Sequence, residues 1–341
     1  MHPLDESGSP LERADVPVRF DHLLRLTTDR GLMEHADHDR PRIGHGLCTD
    51  DNARALVVLG RAADLGDAEL TAFDRYLTFV EQGRIAGGWR NRQAVSGEWT
   101  DRGATDDTHG RALWGLGVAA RDAPGIAWRS RAATAFASGA DLDSHHPMAV
   151  AYAVLGAIDA TAAAITGAAD QLEHAARLLP RPRPGPWRWP SDRLTYDNAR
   201  IPEALIGAGS TLGDDAMVED GLALLDWLVV EETGEAGFSF APVDGRAAGD
   251  RRPGFDQQPI EAWAMADACA RAGVVTGAAS WEVHRTGAVD WILGRNDVGA
   301  SMYDAATGAG FDGLTATGVN LNRGAESTLA ALGSLLPPPP W

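Results

Sequence analysis

HGLCTDDNARALVVLG, residues 45–60, sets two adjacent acids, Asp50 and Asp51, directly ahead of an apolar run. Taken alone, they fit an ordinary helix start. Their oxygens cap free backbone N–H groups, and the helix dipole adds about 0.3–1 kcal/mol. The pattern, however, recurs. ATDDTHGRALWGLG begins at Ala104, TYDNARIPEALIGAG at Thr195, FDQQPIEAWAM at Phe255 and NRGAESTLAAL at Asn322. SHHPMAVAYAVLG, from Ser144, carries histidines where the others have acids, and DNAR itself occurs at 51–54 and at 197–200.

Each run spaces its apolar residues helically and closes near a glycine, which reads as a helix stop. The starts lie roughly forty to seventy residues apart, which leaves room for a second helix. DAELTAFDRYLTFVEQ, AADQLEHAARLL, AMVEDGLALLDWLVVEE and ASWEVHRTGAVDWILG supply such partners, and VRFDHLLRL adds one at the front. A fixed period of this size marks a repeat architecture. Six helix pairs predict an all-α (α/α)6 toroid, with one helix of each pair inside and the polar starts converging on one central pit. The expected layout is a flexible segment over 1–16, a single toroid domain over 17–336 and a Pro-rich tail over 337–341. Short loop hairpins in GGWRNRQAVSGEWT and AGFSFAPVDG would sit at the active-site face. An open solenoid also stacks helix pairs, but it has no need for acids at the same end of every inner helix.

Bulk properties narrow the function. The chain of 341 residues carries 48 acids against 30 bases, a formal charge of −18, which argues against nucleic acid or an anionic membrane surface as partner. No stretch approaches the ~18 continuous apolar residues of a membrane span, and no secretory leader is visible. Two distant cysteines, Cys48 and Cys269, suit a reduced, cytoplasmic setting. Eleven Trp against four Tyr is an unusual share, and flat apolar rings serve sugar faces as well as cores.

The pit collects Asp50, Asp51, Asp106, Asp107, Asp197, Asp256, Glu261 and Glu326, the amides Asn52, Asn198, Gln257, Gln258 and Asn322, and the histidines His45, His109, His145 and His146. Glycosidic hydrolysis needs one protonated carboxyl and one ionised carboxyl, and crowding raises one carboxyl's pKa. The opposing expectation is structural: Arg54, Arg111 and Arg200 follow the acids by three or four positions, so DNAR also reads as a repeated ion-pair clamp. No metal is expected, since neither HExxH nor CxxC spacing occurs, and no cofactor motif is present. EHADHDRPRIGHG reads as a loop over the pit.

HGLCTDDNARALVV, GATDDTHGRALWGLG, LTYDNARIPEALI, FDQQPIEAWA and GVNLNRGAESTLAAL together resemble a bacterial toroid family met alone or fused behind GT-B glycosyltransferases. More distantly, they resemble the six-hairpin glycosidase superfamily. The resemblance runs from about Asp21 to about Leu336 and implies the same toroid, a carbohydrate substrate and a glycosyltransferase partner. Pro190 and Ser191 stand where that family commonly has an acid, and Arg323 where it has Gln; an added cation near the pit would favour an anionic substrate.

The resulting expectation is a glycosidase or phosphorylase acting on a short oligosaccharide or glycoconjugate. Asp107 is the expected acid, and Asp256 or Asp51 the base that activates water. Asp50, Asn52, Asp106, His109, Asp197, Gln257, Gln258, Glu261, Asn322 and Glu326 would bind sugar hydroxyls, and Trp89, Trp99, Trp187 or Trp189 would stack. An inverting outcome, which needs carboxyls about 6.5–9.5 Å apart, is favoured over retention at about 5–5.5 Å. Three other classes stay open, among them a terpene cyclase, suggested only by the aspartate-rich TDDT and expected to line its pit with aromatics. A sugar epimerase would place its histidines centrally and its aspartates peripherally, and a binding or scaffold module would bind sugar without turnover.

Overall fold

The computed structural model describes residues 16–139 and 141–339. Nearly all of the 1–16 segment and the end of the Pro-rich tail therefore lie outside the described residues. Twelve α-helices are present among them: α1 (Asp21–Leu26), α2 (Thr49–Arg61), α3 (Asp67–Gly83), α4 (Asp106–Asp122), α5 (Ile126–Ser138), α6 (Pro147–Ala162), α7 (Ala168–Leu178), α8 (Arg200–Leu212), α9 (Asp215–Glu231), α10 (Pro259–Thr276), α11 (Ser280–Ile292) and α12 (Ala325–Leu335). The even-numbered helices pack in the cyclic order α2, α4, α6, α8, α10, α12 and back to α2. Each is backed by an odd-numbered partner, with α1 serving α12. The ring is closed, so the chain folds as an (α/α)6 toroid and not as an open solenoid.

Composition explains which helix goes inside. In α6 every residue from Met148 to Ala160 is buried, and in α10 every residue from Pro259 to Ala272. The partner helix α7 buries only Ala168, Leu172, Ala175 and Ala176 among its described residues, a stripe at the spacing of a surface helix.

The glycines act differently from the expected helix stops. Gly213 and Gly277 do cap α8 and α10 in the left-handed region, but several of the others lie mid-helix. A Cβ on Gly117 of α4 would meet the Gly156 carbonyl at 2.2 Å, and one on Gly110 the Ala149 carbonyl at 2.3 Å. A Cβ on Gly115, on another side of α4, would meet the Ala53 carbonyl at 2.6 Å. These glycines let α4 touch α6 and α2 backbone to backbone, and that closeness outweighs the helix propensity each glycine costs.

The acids that opened the sequence are not caps either. Cys48 is the N-cap of α2 and makes no side-chain cap bond, while Asp50 and Asp51 sit inside the first turn. On α4 the cap is Thr105, whose side chain accepts from the Thr108 N–H. The two DNAR copies are also out of step: 51–54 lies within α2, whereas Asp197–Ala199 precedes α8 and Asp197 adopts a left-handed backbone. Both copies nonetheless form the clamp, Arg54 to Asp51 at 2.8 Å and Arg200 to Asp197 at 3.3 Å. Short hairpins do form, but at 84–89 and 233–238, overlapping only the first residues of the expected loops at 87–100 and 236–245. No described helix is long and apolar enough to cross a membrane.

Candidate active site

The N-terminal ends of the inner helices meet on one face, and their partly positive ends tolerate the acids gathered there. They surround a cavity of about 540 Å³ whose carboxylates are Glu34, Asp50, Asp51, Asp256, Asp312 and Glu326. Arg54, Arg92 and Arg111 line it with them, as do Asn91, Gln258, Asn320, Tyr196 and His35.

At its floor, the Arg54 fork holds Asp51 at 2.8 Å and Glu326 at 2.9 Å. The Cys48 thiol donates to the other oxygen of Asp51 at 3.0 Å. Burial pushes the Asp51 carboxyl up to about 6, opposed by the Arg54 charge and reinforced by that of Glu326. Burial also raises Asp312, against the N–H that Gly324 donates to it. Asp256 lies three residues ahead of α10 and lines the cavity. Its carboxylate has no hydrogen-bond or ion-pair partner among the described residues.

Arg111 fixes the next part of the wall, pairing with Asp50 at 3.1 Å and Asp107 at 2.9 Å. Tyr196 donates to Asp107 at 2.5 Å, and Tyr152 donates to Asp197 at 2.5 Å while accepting from Arg111 at 3.3 Å. Asp107 does not line the central cavity; it lines an adjoining one with Asp106 and His146.

Several expected site residues are wall supports. Asn52 accepts from the Leu32 N–H and donates to the Cys48 carbonyl. Gln257 accepts from Phe240 and Trp291 and donates to Gly254 and Asp297. Glu261 faces the turn before α8, accepting from the N–H groups of Asp197 and Asn198 and from the Asn198 amide. Burial and the neighbouring Glu232 and Asp197 charges push it well up. Burial lowers His109, whose Nε2 lies 2.7 Å from the Gly139 carbonyl and whose ring packs on buried Trp89. Trp99 leans on Phe79, and Trp187 and Trp189 pack on Trp227 of the outer helix α9. None of these four tryptophans lines the central cavity; the rings that do, among the described residues, are those of Tyr196 and His35. Asn322 accepts from the His38 N–H, while Asn320 reaches the cavity. Arg323 lies over the Phe311 ring, 3.9 Å from Asp304, and is not part of the lining.

Sequence reasoning missed Asp312, Arg92, Asn91, Asn320 and the role of Tyr196. The signal for Tyr196 was present in TYDNAR; Asp312, in a loop far from any helix start, offered none.

No protein-family model and no curated protein matches this sequence. Solved structures do match the fold. A sugar epimerase from a ruminal bacterium superposes with a TM-score of 0.72 at 12% identity, covering 95% of this chain and 96% of its own. A cellobiose 2-epimerase from Bacillus thermoamylovorans gives 0.71 at 9%, covering 92% and 95%. An α-mannanase of family GH76 from Bacteroides thetaiotaomicron gives 0.59 at 10%, covering 91% and 90%. At such identities the likeness establishes the shared six-hairpin toroid.

Proposed function

We propose that this chain is a glycoside hydrolase acting on a short oligosaccharide or glycoconjugate, with Asp51 as proton donor and Asp256 as the base. One observation carries the reading: the central cavity holds a buried carboxyl raised to about 6 together with a carboxylate free of protein partners among the described residues. Glycosidic cleavage requires two carboxyls, one to give a proton and one to take it. Asp51 gives its proton to the leaving oxygen as the C–O bond breaks. Asp256 takes a proton from the water that attacks the anomeric carbon, and Asp50 and Glu326 face the positive charge that develops between. α12 stands between α2 and α10 in the ring, which suits the wider carboxyl spacing of an inverting enzyme. Cys48, a free thiol bonded to the donor, fits a reducing, cytoplasmic compartment.

The placement of the histidines also favours cleavage over epimerisation. His109 is buried on a backbone carbonyl and His146 lines the adjoining cavity, so acids hold the centre. Epimerisation is the second reading, supported by the epimerase folds above and by His35, which lines the pit against Glu34 at 3.5 Å. The test is incubation with α- and β-nitrophenyl glycosides and with neutral gluco- and manno-oligosaccharides, with and without phosphate. Sugar release that disappears in Asp51→Asn and in Asp256→Asn supports hydrolysis, and phosphate dependence would make the enzyme a phosphorylase. A C2-inverted reducing sugar with no new reducing ends would replace the proposal with epimerisation.

A further inference from the structure

The catalytic pit accounts for only part of the open space on this face. Next to it lies a second cavity of about 520 Å³, lined by Thr105, Asp106, Asp107, His146, Pro147, Met148, Thr195 and Tyr196. Tyr196 lines both cavities, so its side chain is the divide between them. That divide is held rigidly: the hydroxyl is anchored on Asp107 at 2.5 Å, and the Arg111 guanidinium lies 5.6 Å from the ring centroid.

We infer that the second cavity is a binding subsite for a further ring of a neutral glycan, and that the substrate crosses Tyr196 with at least one ring on each side. This rests on the hydrolase reading of the pit and adds the length and charge of the substrate. Each cavity alone falls in the size range of a small-molecule site, so a monosaccharide would leave one of them unused. The lining of the second suits a sugar. Pro147 and Met148 at the start of α6 form an apolar wall, while Thr195 and Asp106 offer hydroxyl and carboxylate partners. Tyr196 supplies an aromatic face where the chain must bend from one cavity to the other. The charge is selective as well. Asp106 and Asp107 line the chamber, Asp107 paired with Arg111 at 2.9 Å, and the basic side chain in the lining is His146, 3.9 Å from Asp106. A phosphate or uronate would meet the acids there, whereas a neutral or amino sugar would not be repelled.

The experiment is calorimetric binding of glucose, cellobiose and cellotriose, and of mannose, mannobiose and mannotriose, to the full chain and to two variants. Tyr196→Ala removes the divide. His146→Trp adds bulk at the exposed lip, where the fold has little to lose. The readout is the ratio of monosaccharide to disaccharide Kd, with a thermal melt confirming that each variant folds. The wild type should prefer the disaccharide at least about tenfold, and Tyr196→Ala should shrink that preference by roughly three- to tenfold, the usual value of one aromatic contact. His146→Trp should shrink it too, and a glucuronic acid at the non-catalytic end should bind more weakly than glucose in the same place. Equal binding of one and two rings, or variants that weaken both alike, would overturn the second subsite and leave the pit's chemistry standing. Absence of both binding and turnover across the panel would overturn the hydrolase reading itself, and the subsite with it.

Discussion

Asp51 provides the sharpest test of how this pit works. With its carboxyl raised to about 6, roughly nine-tenths of the enzyme carries the donor proton at pH 5 and roughly one-tenth at pH 7. The wild-type kcat/KM should therefore fall about tenfold per pH unit above 6. Asp51→Asn removes the proton while keeping the shape, and Glu326 still holds Arg54 from the other side at 2.9 Å. General acid catalysis contributes roughly 10²–10⁴-fold, equivalent to about 2.7–5.5 kcal/mol of barrier. The loss should be largest on an unactivated disaccharide. A dinitrophenyl glycoside, whose leaving group needs no proton, should show far less of it. The assay is initial rates from pH 4.5 to 8 on both substrates for both proteins. A variant within threefold of wild type on the disaccharide at pH 5, or a wild-type profile flat through pH 6, would refute Asp51 as the donor.

Other expectations follow from the same structure. Asp256→Ala should abolish turnover while leaving disaccharide binding measurable by calorimetry; retained turnover would move the base elsewhere. Arg200 is fully buried between Trp114 and Trp263 and pairs with Asp197, Glu203 and Asp267. Arg200→Met should cost about 3–5 kcal/mol in urea unfolding, the usual result of stranding buried charges. Gly117→Ala, which places a Cβ 2.2 Å from the Gly156 carbonyl, should cost about 1–3 kcal/mol, and an unchanged midpoint would show that α4 and α6 can part freely. Folded-state values of about 6 for Asp51 and Asp159 and about 7 for Glu232 stand above their unfolded ones because burial disfavours the charge. The folded chain thus binds more protons than the unfolded one in that window, and stability should fall as pH rises from about 4 to 7. Melting temperatures measured across it would show the opposite slope if these carboxyls were not held protonated.

The ring was legible because repetition carries information that no single helix does. One Asp-Asp pair is an ordinary helix start, whereas acids ahead of successive apolar runs imply a shared centre. Asp50, Asp51, Asp256 and Glu326 are found that way. The same periodicity gathers Asn52, Gln257 and Glu261, whose side chains turn into the wall to satisfy loop N–H groups. Position along a helix start does not distinguish the two directions, since one residue's shift on a helix rotates a side chain by about 100°. The tryptophans are conspicuous by type, yet they pack against neighbours that only tertiary structure supplies. The mid-helix glycines read as stops because a sequence does not show that another backbone passes over them.

The Arg54 fork joins Asp51, from the helix that opens the ring, to Glu326, from the helix that closes it. Most of the chain is synthesised between the two carboxylates. Until α12 docks, Arg54 has Asp51 but lacks its second carboxylate partner. On the proposed hydrolase reading, ring closure also completes the carboxylate cluster around Arg54, so a chain truncated before α12 should show no turnover.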